Sequence, residues 1–129
     1  MSAGAMTSGV ILFAHGSRDP LWRRPMEAVA ARVADRAPGT PVRCAYLELT
    51  EPDLPTAAAE LAALGLGAVR IVPMFLGAGR HVREDLPALV DALRQRHPAV
   101  AWTLQPPVGE DERLLDLLAT LALPVHPPS

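Results

Sequence analysis

The chain has 129 residues, a net charge of −2 and an apolar share of 50%. That length fits one domain spanning 1–129, and a domain of this size buries about 68% of its unfolded surface, enough for a core without disulfide or metal staples. All twelve basic residues are arginines, which excludes lysine Schiff-base chemistry and the lysine of a phosphate-binding loop, while the near-neutral charge argues against a dedicated nucleic-acid binder.

In chain order, GVILFAH at 9–15 is a continuous apolar run of the kind that forms a strand covered on both faces. Met26, Val29, Ala30 and Val33 recur at helical spacing within 20–37 and end at Pro38-Gly39. Pro25 suits the start of the stable helix and leaves 16–24 as a long loop. PVRCAYLEL at 41–49 reads as the second strand. A second helix covers 53–65, with Asp53 as its cap, Pro55 in its first turn and Gly65 at its end. AVRIVPMFL at 68–76 is the third strand, in which Pro73 costs one ladder bond. A third helix is expected over 85–97 and a fourth strand over 99–105. The last helix, 111–123, carries Leu114, Leu115, Leu117, Leu118 and Leu121. The ends, about 1–8 and 124–129, read as frayed tails.

Cys44 is the single cysteine and reads as a small buried hydrophobe in a strand, with no need for an oxidising compartment. The apolar run at 10–14 is too short for a signal peptide, and no stretch approaches the roughly 18 residues of a membrane helix. A cytoplasmic protein with no membrane partner is expected.

Strands and helices in strict alternation imply a three-layer αβα sandwich around a four-stranded parallel sheet with right-handed crossovers. In such sheets ligands bind beyond the carboxyl ends of the strands, where the strand order reverses. With the order 2-1-3-4, strands 1 and 3 are neighbours and their helices leave on opposite faces. His15 and His81 then face each other across the crevice.

Two histidines converging on one edge are a proton-accepting and metal-ligating pair. Glu48, at the end of the second strand, is either a third, oxygen ligand or proton acceptor, or a solvated loop carboxylate. Asp85, four residues after His81, either orients that imidazole from behind or caps the third helix. Arg18, Arg23 and Arg24 on one side, and Arg80 and Arg83 on the other, suit an anionic ligand; for Arg23 and Arg24 the solvated reading is preferred. Gly77-x-Gly79 allows close backbone approach but is too short for a dinucleotide fingerprint. Ser17, Arg18, Gly77, Gly79 and Arg80 are therefore the expected substrate contacts. Trp22 and Trp102 line a cavity or pack the core. His97 suits a helix C-terminus, and neither it nor His126 is assigned a function.

LFAHGSRDP at 12–20, CAYLELTEPDL at 44–54 and VPMFLGAGRHVREDLP at 72–87 resemble the sirohydrochlorin chelatases of the CbiX/SirB type, the class II tetrapyrrole chelatases. The three motifs stand in that family's order and spacing. In the fourth loop Glu110-Asp111-Glu112 replaces the histidine-proline often found there. The resemblance implies ATP-independent insertion of a divalent metal, Co²⁺ or Fe²⁺ with Ni²⁺ a further option, into sirohydrochlorin, for cobalamin or sirohaem, without an organic cofactor. It also implies the short, homodimeric form, and with it His15 and His81 are the expected catalytic residues and His15, His81 and Glu48 the expected metal ligands. Eight carboxylates on the macrocycle give the cleft arginines their ligand. Two other readings share these residues: phosphoryl transfer with His15 as nucleophile, and a carrier of metal or tetrapyrrole without turnover.

Overall fold

Apolar runs without polar alternation mark strands that are covered on both sides, and the central strand of the fold is placed so. A computed structural model describes residues 7–124. Within them the order is β1 (Ser8–Ala14), α1 (Arg24–Arg36), β2 (Val42–Tyr46), α2 (Leu54–Ala63), β3 (Ala68–Pro73), α3 (Arg80–Arg96), β4 (Ala101–Leu104), a 3₁₀ turn (Val108–Glu110) and α4 (Glu112–Ala122). The sheet runs β2-β1-β3-β4 with every pair parallel, the order expected from sequence. Most of the tails and His126 lie outside the described residues, although Ser8 already belongs to β1. No helix among the described residues is long and apolar enough to cross a membrane.

The central strand β1 supplies both halves of the core. Ile11 and Phe13 face Leu61, Leu86, Val90 and Trp102 under α2 and α3, whereas Leu12 and Ala14 face Met26 and Tyr46 under α1. α1 and α3 thus leave β1 and β3 on opposite faces, and the switch point lies between those two strands. Trp102 packs in the core, where its Nε1 donates to the His97 carbonyl at 3.3 Å. His97 closes α3 with its Nε2 buried and unpartnered. Trp22 stays at the surface, 5.9 Å from the Tyr46 ring.

Several boundaries differ from the sequence reading, each for a local reason. β2 ends at Tyr46, although its bonds to the β1 segment run on through Leu47 and Glu48 until Leu49 turns the chain at φ 64°. β3 stops at Pro73, whose ring carries no N–H; the ladder resumes one residue on, where Met74 N donates to Phe13 O at 2.7 Å. α1 begins at Arg24, one residue before the proline. The largest difference is α3, which starts at Arg80 and not at 85. Pro87 sits inside the helix and leaves the Arg83 carbonyl without its usual donor, a cost the exposed helix surface tolerates. Asp53 caps α2 as expected, accepting from Thr56 N at 2.9 Å. Cys44 is only half-buried, because β2 is an edge strand; its thiol lies 3.6 Å from the Met26 carbonyl, and burial pushes its pKa up.

Candidate active site

His15 is the first residue beyond β1, and the ladder between β1 and β2 continues past both strands to reach it. Leu47 N donates to Ala14 O at 2.9 Å, and Glu48 N donates to His15 O at 3.0 Å. The same register that packs the core therefore sets Glu48 beside His15, and the side chains meet: His15 Nε2 lies 3.1 Å from Glu48 Oε1. Both are about half exposed, at 53% and 54%. The contact sets a proton-accepting, metal-ligating imidazole against a carboxylate at the open edge of the sheet.

Gly16 makes the approach possible. Its φ is +105°, and a Cβ there would run into the Glu48 carbonyl oxygen. The loop continues as a short hydrogen-bonded chain. Thr50 Oγ1 accepts from Ser17 N at 2.9 Å and donates to Ser17 O at 2.7 Å. Ser17 Oγ accepts from Asp19 N at 3.1 Å, and Asp19 Oδ1 accepts from Leu21 N at 2.9 Å. The Ser17 hydroxyl, an expected substrate contact, is thus engaged in shaping its own loop. Arg18 is exposed beside it.

The loop after β3 brings the second histidine. Gly79 is the N-cap of α3 at an ordinary extended φ of −64°, and His81 is the second residue of the helix, exposed in its first turn. Neither Gly77 nor Gly79 has an atom within 4 Å of where a Cβ would stand. The open space there is compatible with a ligand against the backbone, but the turn itself does not demand glycine. The early start of α3 removes Asp85 from the cap position. It stands one turn below His81 on the same helix face, and no hydrogen bond or ion pair joins the two among the described residues. Arg80 turns its Nε to Glu84 Oε1 at 3.1 Å along the exposed helix surface.

No group of three His, Cys, Asp or Glu side chains poised around one ion occurs among the described residues. His15 and Glu48 are brought together, and His81 is not gathered with them into a closed three-ligand centre. An open pair fits a metal that must pass through, whereas a closed set of ligands fits one that must stay.

Two features of this edge escape a reading by residue type. An apolar cavity of about 310 Å³ opens beside the first turn of α3, lined by Phe75, Val82, Leu86, Pro87, Leu104 and Pro106, with Arg83 also at its wall. Gly109 packs so closely on the loop after β3 that a Cβ would strike the Leu76 carbonyl oxygen, and its own N donates to Phe75 O at 2.9 Å. The only sequence signal for the second was a glycine among prolines.

A parallel sheet of order β2-β1-β3-β4, with an imidazole and a carboxylate in contact on its carboxyl edge, defines a doubly wound α/β protein whose candidate site lies at that edge. The family is more specific: residues 9–122 match the CbiX family model, and the chain belongs to that family. Among curated relatives, the sirohydrochlorin cobaltochelatase of Methanococcoides burtonii is 27% identical over 91% of this chain and 95% of its own length. That of Sulfurisphaera tokodaii is 30% identical over 85% and 87%. The CbiX protein of Marinobacter aquaeolei VT8 superposes with a TM-score of 0.77 at 34% identity, covering 88% of this chain and 92% of that one. The sirohydrochlorin chelatase SirB of Bacillus subtilis subspecies spizizenii, solved with cobalt, shares the fold with a TM-score of 0.71 at 23% identity, and this chain spans 49% of it.

Proposed function

We infer that the chain inserts a divalent metal ion into sirohydrochlorin. The single observation that carries the chemistry is the contact of His15 Nε2 with Glu48 Oε1 at 3.1 Å on the carboxyl edge of β1 and β2. Insertion exchanges two pyrrole N–H protons for one M²⁺, so the site must accept two protons as the macrocycle nitrogens take the metal. His15 accepts one, and the adjacent Glu48 carboxylate stabilises the imidazolium. His81, across the β1–β3 crevice, takes the other once the metal has passed to the macrocycle. The metal is substrate here; cobalt follows from the cobaltochelatase relatives, and imidazole with carboxylate also suits iron. Arg18 and Arg80, with the bare backbone at Gly77 and Gly79, receive the carboxylate-bearing rim of the macrocycle. Ser17 shapes the rim of the site, and Asp85 sits behind His81.

The reading extends to a cytoplasmic homodimer that uses neither nucleic acid nor membrane, because a single open edge covers little more than one face of a macrocycle. The deciding experiment is a metal-insertion assay followed by the absorbance of sirohydrochlorin. His15→Ala and His81→Ala each lower the rate at unchanged fold, and the double variant abolishes it. Normal insertion in the double variant overturns the reading, and a reaction that stops at one equivalent per protein marks a carrier.

A further inference from the structure

Among the described residues one non-glycine residue stands at positive φ, Leu49 at 64°. An L side chain there crowds its Cβ against the backbone, so the conformation is rare and unfavourable for a bulky residue. The turn is also unusually tight. Thr50 N donates to Glu48 O at 2.8 Å, two residues back, which closes a three-residue γ-turn on Leu49 of the rarer, strained hand. Elsewhere the chain gives positive φ to glycine, at Gly16 and Gly65, which adopts it without a Cβ penalty.

The turn is held from both sides of Leu49, and its own side chain takes no part. Glu48 N donates to His15 O at 3.0 Å, and the Thr50 hydroxyl brackets the Ser17 backbone. The leucine side chain is 53% exposed and belongs to neither buried cluster. Glycine at this position would keep every one of those bonds and relieve the strain. A single exposed leucine needs no explanation. A strained one does, and strain that the fold does not use collects where ligands are held. Leu49 directly follows Glu48, whose Oε1 meets His15 Nε2 at 3.1 Å. Leu47, Glu48 and Leu49 line one groove of about 550 Å³, so an apolar residue flanks the carboxylate-bearing one on either side.

We propose that Leu49 is a substrate contact, an apolar rest for one face of the flat macrocycle beside the His15–Glu48 pair. The assignment rests on the metal-insertion reading above and adds to it a residue that recognises the ring itself, where the arginines recognise only its carboxylates. An acidic ligand without a broad apolar face satisfies the arginines and gains nothing from Leu49. The rigid turn serves this purpose because a contact fixed before the ligand arrives spares the entropy of ordering a loop on binding.

Leu49→Gly tests the proposal, because it moves folding and binding in opposite directions. Its urea midpoint is expected to rise as the strain is relieved. The Kd for sirohydrochlorin, read from an absorbance titration without metal, and the KM for insertion are both expected to rise about 10-fold at a kcat near that of the wild type. Leu49→Met is expected to restore the affinity. Unchanged affinity in the glycine variant overturns the proposal, as does a methionine variant as weak as the glycine one. A lowered midpoint shows that the leucine serves the fold and also overturns it. So does a fall in kcat at unchanged KM, which places the effect on the His15–Glu48 pair. A wild type that binds sirohydrochlorin but inserts no metal overturns the insertion reading alone, and the metal-free titration still decides the role of Leu49. A wild type that does not bind the macrocycle overturns both.

Discussion

Thr50 grips the backbone of Ser17 from both sides, its hydroxyl accepting from the Ser17 N–H at 2.9 Å and donating to the Ser17 carbonyl at 2.7 Å. One side chain on the β2 loop thereby fixes the β1 loop that carries His15. Thr50→Val keeps the shape and removes both bonds, each worth about 1 kcal/mol. It is expected to lower stability by about 1–2 kcal/mol in urea unfolding and to slow metal insertion, with Thr50→Ser restoring both. An unaltered insertion rate in the valine variant removes Thr50 from the support of the site.

The His15–Glu48 contact predicts non-additive kinetics. Glu48→Gln preserves size and removes the charge that favours imidazolium, so the insertion rate falls by about 10-fold or more, the scale of one proton-transfer contribution. In a His15→Ala background the same change has little left to remove. A double-mutant cycle on the insertion rate checks this, and strict additivity shows that the two side chains act apart.

Gly16 and Gly77 make a contrasting pair. Alanine at 16 faces both a φ of +105° and the Glu48 carbonyl oxygen, so Gly16→Ala is expected to cost more than about 2 kcal/mol and to disorder the His15 loop. Alanine at 77 meets nothing within 4 Å. Gly77→Ala keeps the wild-type unfolding midpoint, and where the backbone there touches the macrocycle its KM for sirohydrochlorin rises.

Acid stability has a local source in the cap of α2. The hydrogen bond from Thr56 holds the Asp53 carboxyl below its usual pKa. A lowered folded pKa means that this group supports the fold fully above the ordinary carboxylate range, and that its support is lost as pH falls through the lowered value. Asp53→Asn keeps a capping oxygen without the titration, and Asp53→Ala costs about 1 kcal/mol at neutral pH. Denaturant midpoints from pH 7 to 3 are expected to show the alanine penalty shrinking with acid, while the asparagine variant draws level with the wild type or passes it.

Strand interiors were legible in the sequence because a strand buried on both faces writes itself as an unbroken apolar run such as VILFA, while the order came from the common arrangement of alternating strands and helices. The start of α3 was hidden because proline usually marks a first turn, and Pro87 lies in the second. His15 and His81 were found by residue type and position, yet the meeting of His15 with Glu48 depends on the β1–β2 register continuing beyond both strands, which no spacing within one segment reveals. The exposure of α4 was equally hidden, because its leucines read in sequence as an ordinary packing face although the helix buries no residue.

The clamp of Gly109 beneath Leu76 has a mechanical consequence for the fourth loop. The peptide after β4 and the peptide after β3 touch without any side chain between them to absorb movement, so they transmit displacement as one stiff piece. A strain applied at Glu110–Glu112 therefore has a direct backbone route, through Gly109 and Leu76, to the loop that carries His81. Changes in that distant acidic stretch can therefore retune the placing of His81 relative to His15 while leaving every residue of the histidine edge as it is.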